Sequence, residues 1–140
     1  MTQVPKSMKT EFIPGDCRYV RLLEDFIAYL DTLGDWIAVP TGFVFDLESI
    51  PLLRSDNPEA GCIHDYLSRA DSEPTVTTYT AALCYYEVQD YFDSQEQGGI
   101  IKRALKRTWR YIKILAVVAA TRMYFHKHKV MDSYEVIKNA

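Results

Sequence analysis

Residues 37–51 read I-A-V-P-T-G-F-V-F-D-L-E-S-I-P, and this stretch decides the fold of the N-terminal half of the chain. A short β-rich run at 36–39 is interrupted by Pro40-Thr41-Gly42, a combination typical of a turn. A second β-rich run resumes at 43–45. The stretch therefore predicts a strand, a turn and a second strand that presents Asp46 and Ser49 at its end.

The residues before this stretch also predict short strands. Residues 18–30, R-Y-V-R-L-L-E-D-F-I-A-Y-L, alternate in part and are interrupted by Glu24-Asp25. This pattern indicates two short strands around a tight turn, with a helix as the alternative. Residues 1–15 predict a flexible lead that ends at Pro14-Gly15, and residues 16–140 predict a single compact domain.

The second half of the chain predicts about three helices. Asn57 as N-cap and Pro58 at the first helical position begin a helix that extends to about residue 70. Residues 75–92 have roughly helical apolar spacing, and residues 100–125 predict a long, basic, amphipathic helix. Its apolar stripe consists of Ile101, Ala104, Leu105, Ile112, Leu115 and Val118. The fold class is therefore α+β, with a small N-terminal antiparallel sheet followed by these helices.

Composition is that of a packed globular protein. The 140 residues are 48% hydrophobic and 13% aromatic, which is too apolar for a disordered chain. The three cysteines, Cys17, Cys62 and Cys84, form no C-x-x-C motif, so a reducing cytoplasm is expected. The longest apolar run, 114–120, is much shorter than the ~20 residues of a membrane span, so no span is expected.

Charge is divided unevenly along the chain. Residues 1–97 hold 17 acidic and 6 basic residues, whereas residues 98–140 hold 2 acidic and 10 basic residues. The basic segment is consistent with nucleic acid, with an acidic partner, or with packing against the acidic part of the same chain. Arg103, Arg107 and Arg110 are the candidate partner-binding residues.

A candidate catalytic site is centred on the adjacent residues His64 and Asp65. On a helix their side chains point about 100° apart, so they are not expected to hold one ion from the same face. Asp65 is expected to pair with Arg69, and His64 is expected to meet Asp46 from the preceding strand. An acid–histidine contact prepares the ring to bind a metal such as zinc or to take a proton, with Ser49 as a candidate nucleophile. A structural role for the same residues is the alternative.

The stretch at 37–51 quoted above and the block H-D-Y-L-S-R at 64–69 together resemble a family of phage and prophage proteins, the domain-of-unknown-function family DUF1353. The resemblance covers about residues 36–125, and its strongest motifs lie in 37–69. Phe45 and Ser68 stand where the family usually has Thr and Tyr, and an Ala-Asp pair of the next helix has no clear counterpart. The matching residues are Val39, Pro40, Gly42, Phe43, Asp46, Ser49 and Pro51 in the first block and His64, Asp65, Tyr66 and Leu67 in the second.

The resemblance implies a phage or prophage origin and expression in the cytoplasm of a bacterial host, or packaging in the virion, but it supplies no activity. The first function hypothesis is a protein that acts by binding, as a virion or tail component or on a host protein. The second is a small metal-dependent hydrolase directed at the cell wall, with Asp46, His64 and Asp65 at its site. The third is nucleic-acid binding through the basic helix at 102–113.

Overall fold

The computed structural model describes residues 1–47, 57–69, 71–95 and 99–124. Within them, small antiparallel sheets are followed by helices, so the α+β class is confirmed. The strands are β1 (Thr10–Ile13), β2 (Asp16–Leu22), β3 (Phe26–Leu30), β4 (Asp35–Val39) and β5 (Val44–Asp46). The helices are α1 (Pro58–Leu67), α2 (Thr78–Gln95) and α3 (Ile100–Tyr124).

The strands form two sheets, whereas the sequence predicts one. One sheet has the order β1-β2-β5 and the other consists of β3 and β4. Although β2 and β3 flank a tight turn as predicted, they do not pair with each other. Both edges of β2 are occupied, by β1 on one side and by β5 on the other, so β2 has no edge left for β3.

The segment 1–15 differs from the predicted flexible lead. Residues 10–13 form β1, which pairs with β2, and Gln3 bridges to Tyr29 of β3. The Tyr29 amide donates to the Gln3 carbonyl over 2.9 Å, and the Gln3 amide donates back over 3.1 Å. Backbone pairing, which composition does not report, therefore places this segment against both sheets.

The turn at Pro40-Thr41-Gly42 forms as predicted and joins β4 to β5. The Phe43 amide donates to the Pro40 carbonyl over 3.1 Å, and Gly42 has a φ of 84°. A positive φ at the third residue of a β-turn is characteristic of type II, in which glycine is strongly favoured. Asp25 holds the turn from outside, since its Oδ1 accepts bonds of 2.7 Å from both the amide and the hydroxyl of Thr41.

The core lies between the sheets and the first two helices. Alternate residues of β3 and β4 point inward, as period-two alternation requires. From α1, Ala60, Ile63 and Leu67 are buried at helical spacing, and α2 adds Ala81, Tyr85 and Val88. Full burial of a large apolar side chain contributes about 1.5–3 kcal/mol, so these positions carry much of the stability. The inward residues of β3 and β4 are Phe26, Ala28, Leu30, Ile37 and Val39.

Glu87 of α2 ties the helix to the turn between β3 and β4. Its carboxylate accepts the amide hydrogens of Asp31, over 2.5 Å, and Thr32, over 3.0 Å. It also accepts the hydroxyl hydrogen of Thr2. A single carboxylate therefore joins α2, the turn after β3 and the N-terminal segment.

Candidate functional site

Asp46 ends β5, and its position follows from the pairing of β5 with β2. Tyr19 of β2 lies opposite Asp46 in this antiparallel pair. Arg18, the residue before Tyr19, is therefore close to Asp46. Arg18 Nε donates to Asp46 Oδ2 over 3.0 Å, and the Asp46 side chain is only 13% exposed. The charge of Asp46, and then the hydrogen bond to it, raise the pKa of Arg18.

His64 and Asp65 lie in the C-terminal part of α1, and their side chains are in contact. His64 Nδ1 lies 3.3 Å from Asp65 Oδ1. The other carboxylate oxygen, Oδ2, accepts the Asp46 amide over 3.4 Å. Asp65 therefore joins α1 to the end of β5 and contacts the His64 ring.

These contacts change one of the predicted pairings. Asp65 is turned toward β5 by the Asp46 amide, which brings its second oxygen to His64 despite the angle of about 100° between adjacent helical positions. Arg69 pairs with Asp71 instead of Asp65, through bonds of 2.7 Å and 2.5 Å. The Asp46 carboxylate accepts a hydrogen bond from Arg18, and the Asp46 amide donates to Asp65. The contact that the sequence predicts between His64 and the Asp46 carboxylate stays a prediction.

The His64 ring is held from two further directions. It packs edge-on against Tyr85 of α2, with ring centroids 5.9 Å apart. The Tyr85 hydroxyl accepts a bond of 2.8 Å from the buried Gln89, and this bond orients the tyrosine. The His64 side chain is 15% exposed and that of Asp65 is 25% exposed, so the pair is partly shielded from water.

The arrangement can perform proton transfer at one nitrogen of the ring. When Nδ1 carries the hydrogen and donates it to Asp65, Nε2 presents the lone pair that a general base or a metal ligand requires. Among the described residues, no three His, Cys, Asp or Glu side chains are grouped so that they could hold a metal ion. Ser49, the predicted nucleophile, lies outside the described residues.

Sequence reasoning missed Arg18, Tyr19 and Tyr85, which all surround this site. Burial, and then the charge of Asp46, raise the pKa of Tyr19, and Asp65 contributes in the same direction. No local motif marks these residues, because they reach the site through the pairing of β2 with β5 and the packing of α2 on α1. A correct prediction of the β2–β5 pairing would have identified the first two.

The comparisons with known proteins were negative. No family model, no curated protein and no solved structure matches this chain. The resemblance to the phage family therefore stays a prediction that depends on the two motif blocks alone.

A second candidate site is the surface of α3. We call Ile101, Leu105, Ile112 and Leu115 the α3 row, because their spacing places them on one face of the helix. They are 79%, 68%, 50% and 73% exposed, respectively. Of the predicted partner-binding residues, Arg103 and Arg107 are exposed, and the side chain of Arg110 is not among those that the structure describes. These arginines and the α3 row lie on different faces of α3.

The basic face of α3 is partly engaged by the rest of the chain. Lys106 Nζ lies 3.7 Å from Asp93 Oδ1 of α2, and the ring of Tyr111 lies 5.8 Å from that of Tyr86. One lysine thus packs against the acidic part of the same chain, which is the third alternative that charge distribution allowed. The described helices include none with the length and apolar character that crossing a membrane requires.

Proposed function

We propose that this protein is a phage-encoded binding protein that docks another protein chain through the α3 row, either in the virion or in the cytoplasm of the host. The observation that carries the proposal is the exposure of four large apolar side chains on one helix face. Single exposed apolar residues are ordinary on a protein surface, but a contiguous row marks an interaction surface.

The neighbouring aromatic rings support the same conclusion. Trp109 is 50% exposed and Tyr111 is 60% exposed, and both lie within the length of the α3 row. Tryptophan, tyrosine and arginine are the residues that contribute most binding energy at protein interfaces.

The test replaces Leu105 and Leu115 by glutamine in the full chain, in a phage that carries the gene. Glutamine keeps helix propensity and removes the apolar contact. We expect loss of the protein from purified virions, or loss of its cross-links to host proteins, as measured by quantitative mass spectrometry. The matched control is Leu23→Gln/Ile27→Gln, which removes two exposed apolar side chains outside α3. Equal behaviour of the two variants would contradict the proposal.

The contact between His64 and Asp65 favours a second candidate, hydrolysis of cell-wall peptide. A partly shielded histidine with a carboxylate at Nδ1 is the arrangement that a general base or a metal ligand uses. Under the binding proposal, purified protein releases no soluble fragments from isolated cell walls. Release by the native chain that His64→Ala abolishes, accompanied by bound zinc in elemental analysis, would establish the hydrolase instead.

Nucleic-acid binding through residues 102–113 is the third candidate, and it is weaker. The contact of Lys106 with Asp93 reduces the positive charge that this helix can offer to phosphates. Phosphate binding weakens steeply as salt rises, because counterions are released on association. This candidate is supported if the affinity for a DNA duplex falls steeply between low and physiological salt. It is excluded if the protein does not bind the duplex at low salt.

A further inference from the structure

The α3 row has the spacing of a helix-pairing seam. We call the α3 row together with Thr108 the seam. Its five residues occur at 101, 105, 108, 112 and 115, in steps of four, three, four and three. Alternate steps of three and four define the a and d positions of a heptad. Leu105 and Ile112 occupy a positions, and Ile101, Thr108 and Leu115 occupy d positions.

The seam lies on the side of α3 that faces away from α2. Lys106 and Tyr111 contact α2 through Asp93 and Tyr86, respectively. Lys106 follows Leu105 and Tyr111 precedes Ile112 in the sequence. Because adjacent residues are about 100° apart around a helix, the two residues that contact α2 lie about 100° from the seam, one in each direction. The seam is thus opposite the surface that α2 covers, so a partner can reach it without displacing α2.

The charges of α3 are arranged so that two copies of the helix can meet. Arg103, Lys106 and Arg107 fall at f, b and c positions, which point away from the partner in a paired helix. The flanking e and g positions between 102 and 116 carry one charge, Lys102, and otherwise hold Ala104, Trp109, Tyr111 and Ala116. A second copy therefore brings apolar and aromatic surface together without bringing rows of cations together.

The same arrangement disfavours an acidic partner helix. Partner choice in paired helices is set largely by opposite charges at e and g positions. Here those positions offer an acidic helix only Lys102, while the other cations lie on the outer positions of α3. The surface matches a copy of itself better than it matches an acidic helix.

We propose that α3 pairs with α3 of a second copy of this chain through the α3 row, with Trp109 and Tyr111 at its margins. This inference rests on the proposed function, since it names the protein chain that the row binds. The pairing is isologous, so the same residues contribute from both copies. The seam from 101 to 115 spans two heptads, about 21 Å at the helical rise. A coiled coil is usually recognised from three or four heptads or more, so this seam is short and we expect the dimer to dissociate in a measurable concentration range.

The first experiment is sedimentation equilibrium of the full chain over a hundredfold range of concentration. We expect a reversible monomer–dimer equilibrium in the native chain, a loss of at least tenfold in association for Leu105→Gln/Leu115→Gln, and no loss for Leu23→Gln/Ile27→Gln. Circular dichroism checks that each variant retains its helices. Equal losses in the two double variants would overturn the pairing.

A cross-linking experiment tests the seam without weakening it. Thr108 is at the centre of the seam, so it faces Thr108 of the second copy in a parallel pair and lies close to it in an antiparallel pair centred on the seam. Because Cys17 is exposed, the background variant is Cys17→Ser. We expect Thr108→Cys to form a disulfide-linked dimer on mild oxidation, and Arg107→Cys, at an outer position, to form at least tenfold less. Equal cross-linking, or faster cross-linking at 107, would overturn the pairing.

Failure of the pairing is distinguishable from failure of the proposed function. A native chain that stays monomeric at all concentrations overturns the self-pairing. If Leu105→Gln/Leu115→Gln then still loses its virion or host contacts, the row binds a different protein and the proposed function stands. If those contacts are unchanged, both proposals fall.

Discussion

Arg69 is placed to hold the end of α1 by both charge and packing. Its guanidinium donates two hydrogen bonds to the Asp71 carboxylate and lies 5.5 Å from the centre of the Phe43 ring. Only 10% of its side chain is exposed. A planar guanidinium can form the paired bonds and cover a ring at the same time, whereas a lysine ammonium cannot.

We expect Arg69→Lys to lower the free energy of unfolding by about 1–2 kcal/mol, through loss of the second hydrogen bond and of the ring contact. Urea unfolding followed by circular dichroism measures the change. The matched control is Arg21→Lys, because Arg21 pairs with Glu11 over 3.4 Å with both side chains exposed. Such a pair contributes about 0–1 kcal/mol. Equal effects at the two positions would show that the contacts of Arg69 contribute no more to stability than an exposed ion pair.

Asp25 gives the turn between β4 and β5 a dependence on pH. The hydrogen bonds from Thr41 lower the pKa of Asp25 from its ordinary value of 3.8. A carboxyl group whose pKa is lower in the folded protein stabilises the fold above its unfolded pKa, and this contribution is lost as pH falls through the folded pKa.

The native chain should therefore be more stable than Asp25→Asn at pH 7, and the difference should shrink as pH falls below about 3.8. Thermal unfolding of both chains between pH 7 and pH 2 measures it. A difference that is constant over this range would mean that the charge of Asp25 has no part in holding Thr41. Asp35→Asn, a change at another exposed aspartate, serves as the control.

At the scale of the element, the glycines of α1 and of the β3–β4 turn have opposite requirements. Gly61 lies within α1, and apart from its neighbours and the backbone of its own helix no atom of the described residues lies within 4 Å of the position where its Cβ would be. Gly34 follows β3 with a φ of 66°, a backbone conformation that residues other than glycine rarely adopt. Replacement of glycine by alanine should therefore raise the free energy of unfolding at Gly61 and lower it at Gly34.

We expect Gly61→Ala to raise the free energy of unfolding by about 0.5–1 kcal/mol, because alanine costs less conformational entropy in a helix. Gly34→Ala should lower it by about 1 kcal/mol or more, because of the left-handed backbone. Denaturant unfolding of both variants is the measurement. Destabilisation by Gly61→Ala would show that its Cβ site is occupied.

At the scale of the whole molecule, the N-terminal segment connects parts that are distant in sequence. Gln3 exchanges backbone hydrogen bonds with Tyr29, and Thr2 donates to Glu87 of α2. The two sheets do not share a strand within the described residues, so these contacts join the β3–β4 sheet to the segment that leads into β1. The segment is thereby part of the fold.

The variant Gln3→Pro tests this directly, because proline removes the amide that donates to the Tyr29 carbonyl. We expect it to lower the free energy of unfolding by about 1–2 kcal/mol. Gln3→Ala keeps the amide and should change stability by less than about 0.5 kcal/mol. Hydrogen exchange at the Tyr29 amide gives a local measurement. If both variants match the native chain, the segment is dispensable.

Local patterns of the sequence predict most of the helices and strands and the α+β class. The helix starting at Pro58, the turn at Pro40-Thr41-Gly42 and the strands β2 to β5 depend on local patterns: a fixed proline φ, a glycine that tolerates positive φ, and alternation of apolar residues. Strand β1, in contrast, lies in the segment predicted as a flexible lead. The position of His64 and Asp65 on a helix that follows β5 was predictable for the same reason. These properties depend on neighbours a few residues apart, which a single sequence displays.

Tertiary contacts, in contrast, set which strands pair, bring Asp65 to His64 and leave one face of α3 exposed. The pairing of β2 with β5 places Arg18 beside Asp46, and the Asp46 amide turns Asp65 toward His64. The packing of α3 on α2 through Lys106 and Tyr111 leaves the α3 row exposed, although the apolar spacing of the row alone predicts burial. The physical reason is that these contacts join residues tens of positions apart. Competition among all the surfaces of the chain selects them, and local periodicity does not.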